Sequence, residues 1–478
     1  MPISIENISG MCYTKYKKMK GARALKLDRG SETPIYIQIY NFIAGEITNG
    51  YRAPGEALPT RRALCRELGV SPATVENAYG KLISDGYIIS RPGSGYYVTM
   101  DRAAPPEAKP ASGNIYNFSS NGVEISKLPF AKWSKLMIST IRENTDLFQH
   151  GEKYGEYCLR NSIRRLLYRT QGIRFSPEQV IIGPGTDDLM RDLFLLTGGR
   201  YPLLMNNYYN YRVKNVADEL GLGIEYIENC DCGIEISELE RYKTGLLYQK
   251  PTHDLPTGST LSSERRGELI KWLGGNRYIL EDLSENDFCY VKRKKTLWEL
   301  SGGENVILIG GFSTTIAPSM KIGYIILPEP LIKLWTDGKR FYSNRVSRIE
   351  QVTLSRFIDL GYYEQHVGYM RSIYREKMNT VKGAVAETPL ARCTRLSGCD
   401  EGLFCLAQFD ISLSENESYQ LLMKNGVKAS TLSSCIKNAA LSRYPLNTYI
   451  IGFGELKISQ IQDGIRKWAR AWRPYITT

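Results

Sequence analysis

The chain has 478 residues, too many for one ordinary core, so two or three domains are expected, and 42% hydrophobic residues with a mean hydropathy of −0.31 indicate a soluble globular protein. A formal net charge of +12 permits a polyanionic partner without naming one. No uninterrupted apolar run approaches the roughly 18 residues of a membrane span, and no apolar block follows the N-terminal lysines, so neither a membrane anchor nor a secretory signal is expected and the expected compartment is the cytoplasm.

In chain order, the first 30 residues form a basic leader whose stretch YTKYKKMKGARALKLDRG (13–30) has no clear period. It is either a disordered segment or an arm that touches phosphate. From Thr33 the pattern sharpens. PIYIQIYNFIAGEITNG places Ile37, Tyr40, Ile43, Ala44 and Ile47 at helical spacing and ends at the stop signal Asn49-Gly50. LPTRRALCRELGV predicts a second short helix, with Thr60 as cap and Gly69 at its end. SPATVENAYGKLISDGY has Ser71 at the N-cap and Pro72 at the first helical position, and it sets Val75, Ala78, Tyr79 and Leu82 on one face. YIISRPGSGYYVT predicts a β-hairpin around Pro-Gly-Ser-Gly.

Three helices and a hairpin over residues 31–100 make a winged helix-turn-helix, whose third helix is placed to enter the major groove of a double-stranded DNA operator. On this reading Ser71, Pro72, Ala73, Thr74, Glu76, Asn77 and Lys81 face base edges or phosphates, while Arg61, Arg62 and the wing residues Gly93, Ser94 and Gly95 contact the backbone. The alternative is a small helical docking domain. The run PGEALPTRRALCRELGVSPATVENAYGKLISDGYIISRPGSGYYV resembles the GntR-type winged-helix domain in order and over its whole length. It departs at Pro72, where that family usually has an arginine that contacts DNA. Residues 101–115, DRAAPPEAKPASGNI, bury nothing and are expected to form an extended tether.

Beyond the tether, helix-like and strand-like segments alternate: LRNSIRRLLYRTQ, QVIIGPG, TDDLMRDLFLLTG, GLLYQKP, RYILED, NVILIGGF and KIGYIIL. Short apolar strands separated by helices predict a mostly parallel sheet covered on both faces, with any ligand at the strand C-terminal ends. GPGTDDLM opens a helix with glycine and hydroxyl groups, whose free N–H groups suit a phosphate. LED ends a strand on a carboxylate suited to a protonated ring nitrogen. Ten cysteines scatter without metal or redox spacing and are expected as free thiols, and three histidines, His150, His253 and His366, argue against a histidine-built metal site or triad. No metal site is expected.

In order, LPFAKW, KYGEYCLRNSIRRLL, PTHDLPTGSTLSSERRGELIKW, RYILED, GGFSTTIAPSMKIGY, QHVGYMRSIYREK and IIGFGEL resemble the fold-type I aminotransferases that depend on pyridoxal phosphate, across residues 116–478. A GntR-type reader joined to such a domain is similar to the MocR subfamily of bacterial transcriptional regulators. The resemblance implies a multidomain protein: a winged helix-turn-helix plus an α/β large domain and a small α+β C-terminal domain. It also implies a head-to-tail homodimer and a small-molecule effector. Carried over position by position, it assigns Asp282 to the pyridine nitrogen, Gly185, Thr186 and Asp187 to the phosphate turn, Tyr209 to the ring and Ser313 to the residue before the Schiff-base lysine. At the departures, Thr314 stands at the lysine position, Ser284 at a tyrosine, Lys321 at the phosphate-binding arginine, and Asp254-Leu255 at a Gln-aromatic pair. A threonine hydroxyl can neither form the Schiff base nor shuttle its proton. No catalytic residue is therefore assigned, and pyridoxal phosphate is not expected as an internal aldimine at the usual position. Three readings stay open: pyridoxal phosphate bound without a covalent bond, another small molecule, or a vestigial pocket in a domain that only dimerises. The expected function is a sequence-specific DNA-binding transcriptional regulator; the rival is an aminotransferase with an accessory DNA-binding domain.

Overall fold

The computed structural model describes residues 25–476 except positions 26, 32, 49–51, 54, 86, 92–93, 100–114, 120–121, 209, 231–232, 255–256, 338–343 and 436–445. Most of the expected leader and tether, the Asn49-Gly50 stop, Gly93, Tyr209 and Leu255 lie outside the described residues. The chain divides into two compact units, Met1–Ser112 and Gly113–Thr478.

In the first unit, α1 (Ile35–Thr48), α2 (Arg61–Leu68) and α3 (Pro72–Ser84) precede a hairpin of β1 (Ile88–Arg91) and β2 (Gly95–Val98). The hairpin is antiparallel, from Ile88 opposite Val98 to Arg91 opposite Gly95. Val75, Ala78, Tyr79 and Leu82 all lie in the core, as the α3 spacing predicts. On α1, Tyr40, Ile43, Ala44 and Ile47 lie in or against the core as their spacing predicts, Ile39 is fully buried beside them, and Ile37 stays half-exposed outside the core. Leu25 and Leu27 also pack against this core, and Arg29 donates to the carbonyl of Gly69 at 3.1 Å. The end of the expected leader is therefore part of the winged unit.

The second unit is built on a seven-stranded sheet. Its strands are β4 (Val180–Gly183), β5 (Leu203–Asn206), β6 (Ile224–Ile227), β7 (Thr244–Gln249), β8 (Asn276–Asp282), β9 (Val306–Gly311) and β10 (Gly323–Ile326). They lie in the order β4-β10-β9-β8-β7-β5-β6. Neighbours are parallel except β10, which runs antiparallel to both β9 and β4, so the sheet is mostly parallel, as the sequence pattern predicts, with one reversed strand. Eleven residues between Gly311 and Gly323 are too few for a helical crossover, and the chain turns straight back. One face is covered by Leu159, Ile163 and Leu166 of α5 (Tyr157–Gln171) and by Leu354 and Phe357 of α11 (Arg348–Asp359). The other carries Leu189, Leu193 and Phe194 of α6 (Thr186–Thr197), Val213 and Ala217 of α7 (Tyr211–Glu219), and Trp335 of α10 (Glu329–Asp337). Each such fully buried large apolar side chain contributes about 1.5–3 kcal/mol.

A smaller body joins both ends of this unit. β11 (Thr394–Ser397), β12 (Phe404–Phe409), β14 (Ser430–Thr431) and β15 (Thr448–Gly452) form an antiparallel sheet in the order β11-β12-β15-β14. Against it lie α12 (Tyr362–Ala386) and α14 (Ile458–Trp472), with Phe409, Tyr449, Trp468 and Trp472 in mutual ring contact. β3 (Tyr116–Asn117) adds to β13 (Val427–Lys428) in parallel.

Candidate functional site

Two surfaces gather the residues that the sequence singles out. In the winged unit, Thr60 caps α2 by accepting the N–H of Ala63 at 3.3 Å, and Gly69 closes it in the left-handed region. Ser71 accepts the N–H of Thr74 at 3.2 Å, with Pro72 at the first helical position, so only Val70 and Ser71 separate the end of α2 at Gly69 from the start of α3. Ala73, Glu76 and Asn77 are exposed. The Thr74 hydroxyl is occupied locally, 2.8 Å from Ser71 Oγ. Lys81 does not extend freely toward a ligand: its Nζ is 3.2 Å from Asp85 and 4.8 Å from the centre of the Tyr40 ring. Arg61 pairs with Glu76 at 2.6 Å, and Arg62 is exposed. In the wing, exposed Ser94 Oγ lies 2.6 Å from Tyr97 Oη, Gly95 holds φ at 115°, and Arg91 stacks 4.8 Å from the Tyr97 ring centre.

The second surface lies at the C-terminal ends of β8 and β9 and the start of α6. Gly185 holds φ at 107°, which favours glycine, and a Cβ at Gly323 would come within 2.9 Å of the Gly185 carbonyl carbon. These two glycines let the N-terminus of α6 sit directly on the β9–β10 ends. Asp282, the last residue of β8, is nearly buried. Its Oδ1 accepts the N–H of Ser284 at 2.8 Å and its Oδ2 the hydroxyl of Tyr248 at 2.7 Å. Asn210 caps α7 through its Oδ1 and donates from Nδ2 to the Tyr248 hydroxyl at 3.2 Å. Burial and the nearby Asp282 charge hold the Tyr248 hydroxyl well above its ordinary pKa, so it acts as a donor.

Arg212 of α7 donates to Asp187 at 2.8 Å and to the Thr186 hydroxyl. Burial works against its charge, but Asp282 and Asp187 outweigh that effect and raise its pKa. Asn206 donates to Asp254 at 2.8 Å. The structure thus brings Gly185, Thr186, Asp187 and Asp282 into one network. Asp187 is exposed and ion-paired, and with Asp188 it fills the first turn of α6, where the helix N-terminus stabilises carboxylates. Ser313 and Thr314 are half-buried on the loop after β9, which is anchored by the next residue: Thr315 accepts from Tyr363 Oη at 3.2 Å, and its carbonyl lies 3.0 Å from His366 Nε2. Lys321 is exposed and has no hydrogen-bond or ion-pair partner among the described residues. Sequence reading misses Arg212, Tyr248, Asn206 and Asn210. Of these only Asn210 carries a usable signal, an asparagine at a helix start.

Winged helix-turn-helix plus an aminotransferase-like α/β unit defines a class of DNA-binding transcriptional regulator. Residues 35–98 match the gntR family of bacterial regulatory proteins. The HTH-type transcriptional regulator YdeL of Bacillus subtilis is 30% identical, covering 94% of this chain and 98% of its own. The probable rhizopine catabolism regulatory protein MocR of Rhizobium meliloti is 26% identical, covering 94% of this chain and 96% of its own. The chain belongs to the MocR-like GntR family of transcriptional regulators. The second unit has the fold of the fold-type I transferases: an archaeal alanine:glyoxylate aminotransferase superposes with a TM-score of 0.66 at 19% identity, and the Pyrococcus horikoshii kynurenine aminotransferase with 0.64 at 19%, each covering 76% of this chain and 92% of its own. Among the described residues no helix is long and apolar enough to cross a membrane.

Proposed function

We propose that the aminotransferase-like unit is a non-catalytic sensor. It binds a small molecule at the strand ends, near Gly185, Thr186, Asp282, Ser313 and Thr314, and holds a homodimer whose winged units read a DNA operator. Ligand binding acts by favouring one placement of the readers, which requires different affinities for the two placements.

The observation that carries this reading is the closed network around Asp282. Tyr248 and Ser284 engage both carboxylate oxygens, and Arg212 is tied to Thr186 and Asp187 at the mouth of α6. Beside it, the resemblance puts Thr314 where the chemistry needs an amine. The residues present do not fit covalently held pyridoxal phosphate: position 314 has no nucleophilic nitrogen, Asp187 and Asp188 oppose a phosphate at the helix start, and Lys321 points to no partner among the described residues. No reaction step through that cofactor is derived.

The test is a titration of the purified protein with pyridoxal phosphate, followed by visible absorbance and then by mass spectrometry after borohydride reduction. The expected result is no visible band and no lysine adduct. An adduct on a lysine such as Lys250, a buried amine whose Nζ lies 3.4 Å from Glu285, would overturn the non-covalent reading and make the sensor work by covalent exchange with an amine ligand, whereas turnover of an amino donor with added cofactor would restore the enzyme alternative.

A further inference from the structure

Beside the loop that carries Ser313 and Thr314 lies a small internal cavity of about 10 Å³, room for one water-sized group. Gln171 at the end of α5, Glu285 and Asp287 after β8, Thr315 of the loop, Tyr324 of β10 and Tyr363 of α12 supply most of its polar lining. Three oxygens of this lining can only accept, and each lacks a partner among the described residues. Gln171 is 5% exposed, and its Oε1 receives no hydrogen bond. Lys250 and His253 both approach Glu285 through Oε2, at 3.4 and 3.2 Å, which leaves Oε1. Tyr363 Oη lies 2.7 Å from Asp287 Oδ2, which leaves Oδ1.

The charges around the cavity are one cation short. Lys250 matches Glu285, with His253 beside it, whereas Asp287 forms no ion pair among the described residues. Arg371 of α12 donates to the main-chain carbonyl of Asp287 at 2.9 Å and not to its carboxylate, and Glu364 on the same helix opposes the Asp287 charge. Burial outweighs the Tyr363 hydrogen bond and the Arg371 charge, so the carboxyl is held above its ordinary pKa. A shielded carboxylate without a counterion is costly. A water offers two protons to three acceptors and carries no charge. A divalent ion needs six or more oxygens or several waters of its own, more than a space for one group allows. Among the described residues no three histidine, cysteine or carboxylate side chains are grouped to hold a metal, and a hard monovalent cation needs no such group, since it takes carboxylate, amide and hydroxyl oxygens.

We propose that the cavity is a binding site for one dehydrated monovalent cation such as potassium, held by the carboxylates of Glu285 and Asp287 and by the Gln171 amide and Tyr324 hydroxyl oxygens. The ion ties α5 and the segment after β8 to the loop at Thr315, and so braces Ser313 and Thr314. The site stands apart from the small molecule proposed at the strand ends, and its test does not depend on that ligand.

The full chain is dialysed into tetramethylammonium chloride, whose cation is too large for the cavity, and potassium or rubidium chloride is exchanged in at constant ionic strength. Thermal midpoints are read for the parent, D287N and Q171L, and crystals of the parent grown in rubidium chloride are measured for anomalous scattering. The expected outcome is a saturable rise of about 2–5 °C in the parent, the shift of one linked site. D287N removes the charge and Q171L removes an acceptor and fills the space, so both lose that rise, and D287N at least matches the parent's midpoint in tetramethylammonium. One rubidium peak falls in the cavity, against Glu285 and Asp287. Midpoints blind to potassium with no rubidium peak would leave a water, or a proton on Asp287, in the cation's place and overturn the inference. So would a rise that both variants keep, or a peak only at another site. Where the midpoints and the diffraction disagree, or a variant fails to fold, the presence or absence of the rubidium peak in the parent decides.

Discussion

At Glu285 three ionisable side chains meet, largely shielded from solvent. Lys250 Nζ lies 3.4 Å and His253 Nδ1 3.2 Å from the same carboxylate oxygen, and the three side chains are 6%, 1% and 14% exposed for Lys250, His253 and Glu285. Burial alone would raise the Glu285 pKa, but the charge of Lys250 and the hydrogen bond of His253 reverse that and hold it at about 2, against an ordinary 4.5. The stabilisation is therefore complete above about pH 4.5 and is lost as the pH falls toward 2. Glu285→Gln leaves the Lys250 charge buried and unpaired, and the expected cost at pH 7 is about 3 kcal/mol in urea unfolding. The gap between variant and parent should narrow as the pH falls through that window. Glu281, four residues back, runs the other way. Burial raises it to about 7 despite the N–H groups of Leu297 and Trp298 that it accepts, so its contribution is present below about pH 4.5 and fades as the pH rises to 7. Glu281→Gln is expected to flatten that part of the stability profile. Residues whose role is local were readable in the sequence: Ser71 before Pro72, Thr60 before a helix, Asp282 at a strand end. Arg212 and Tyr248 were not, because each acquires its role only from a partner on another element, and nothing in NNYYNYR or GLLYQK distinguishes them from ordinary half-buried residues.

Among the elements, helices announced themselves by their caps, and strands only where they were long and apolar. β5 and β6 are four-residue strands in YPLLMNN and GIEYIEN, too short against their polar flanks to stand out, yet they complete one side of the sheet. The reversal at β10 was legible only in hindsight of its short connection. That reversal brings Gly323 against Gly185, and a side chain there has nowhere to go. Gly323→Ala is expected to cost about 1–3 kcal/mol by overpacking and to push the start of α6 off the β9–β10 ends. Thermal unfolding reads the first effect. A loss of small-molecule binding larger than the loss of stability explains would report the second.

For the molecule as a whole, alternation of elements predicted an α/β sheet and the resemblance of the quoted motifs implied a reader before an aminotransferase-like unit, and the comparisons bear out both folds. The homodimer is expected as a single species of twice the 54.2 kDa chain mass in sedimentation velocity, with or without DNA; a monomer at micromolar concentration would remove the dimer from the proposal. The two units also differ in how far along the chain their partners lie. Among the described residues, every core member of the winged unit falls between Leu25 and Val98. In the second unit, Tyr116 and Asn117 wait for Val427 and Lys428, Gly452 donates to the carbonyl of Phe118, and β4 is covered by β10 more than a hundred residues later. Closing such distant pairs is slow, and a chain emerging from the ribosome makes them last. The reader can therefore be complete on the nascent polypeptide while much of the second unit is still unsynthesised. A stalled or prematurely ended translation product would keep a folded reader without the unit proposed to sense the ligand.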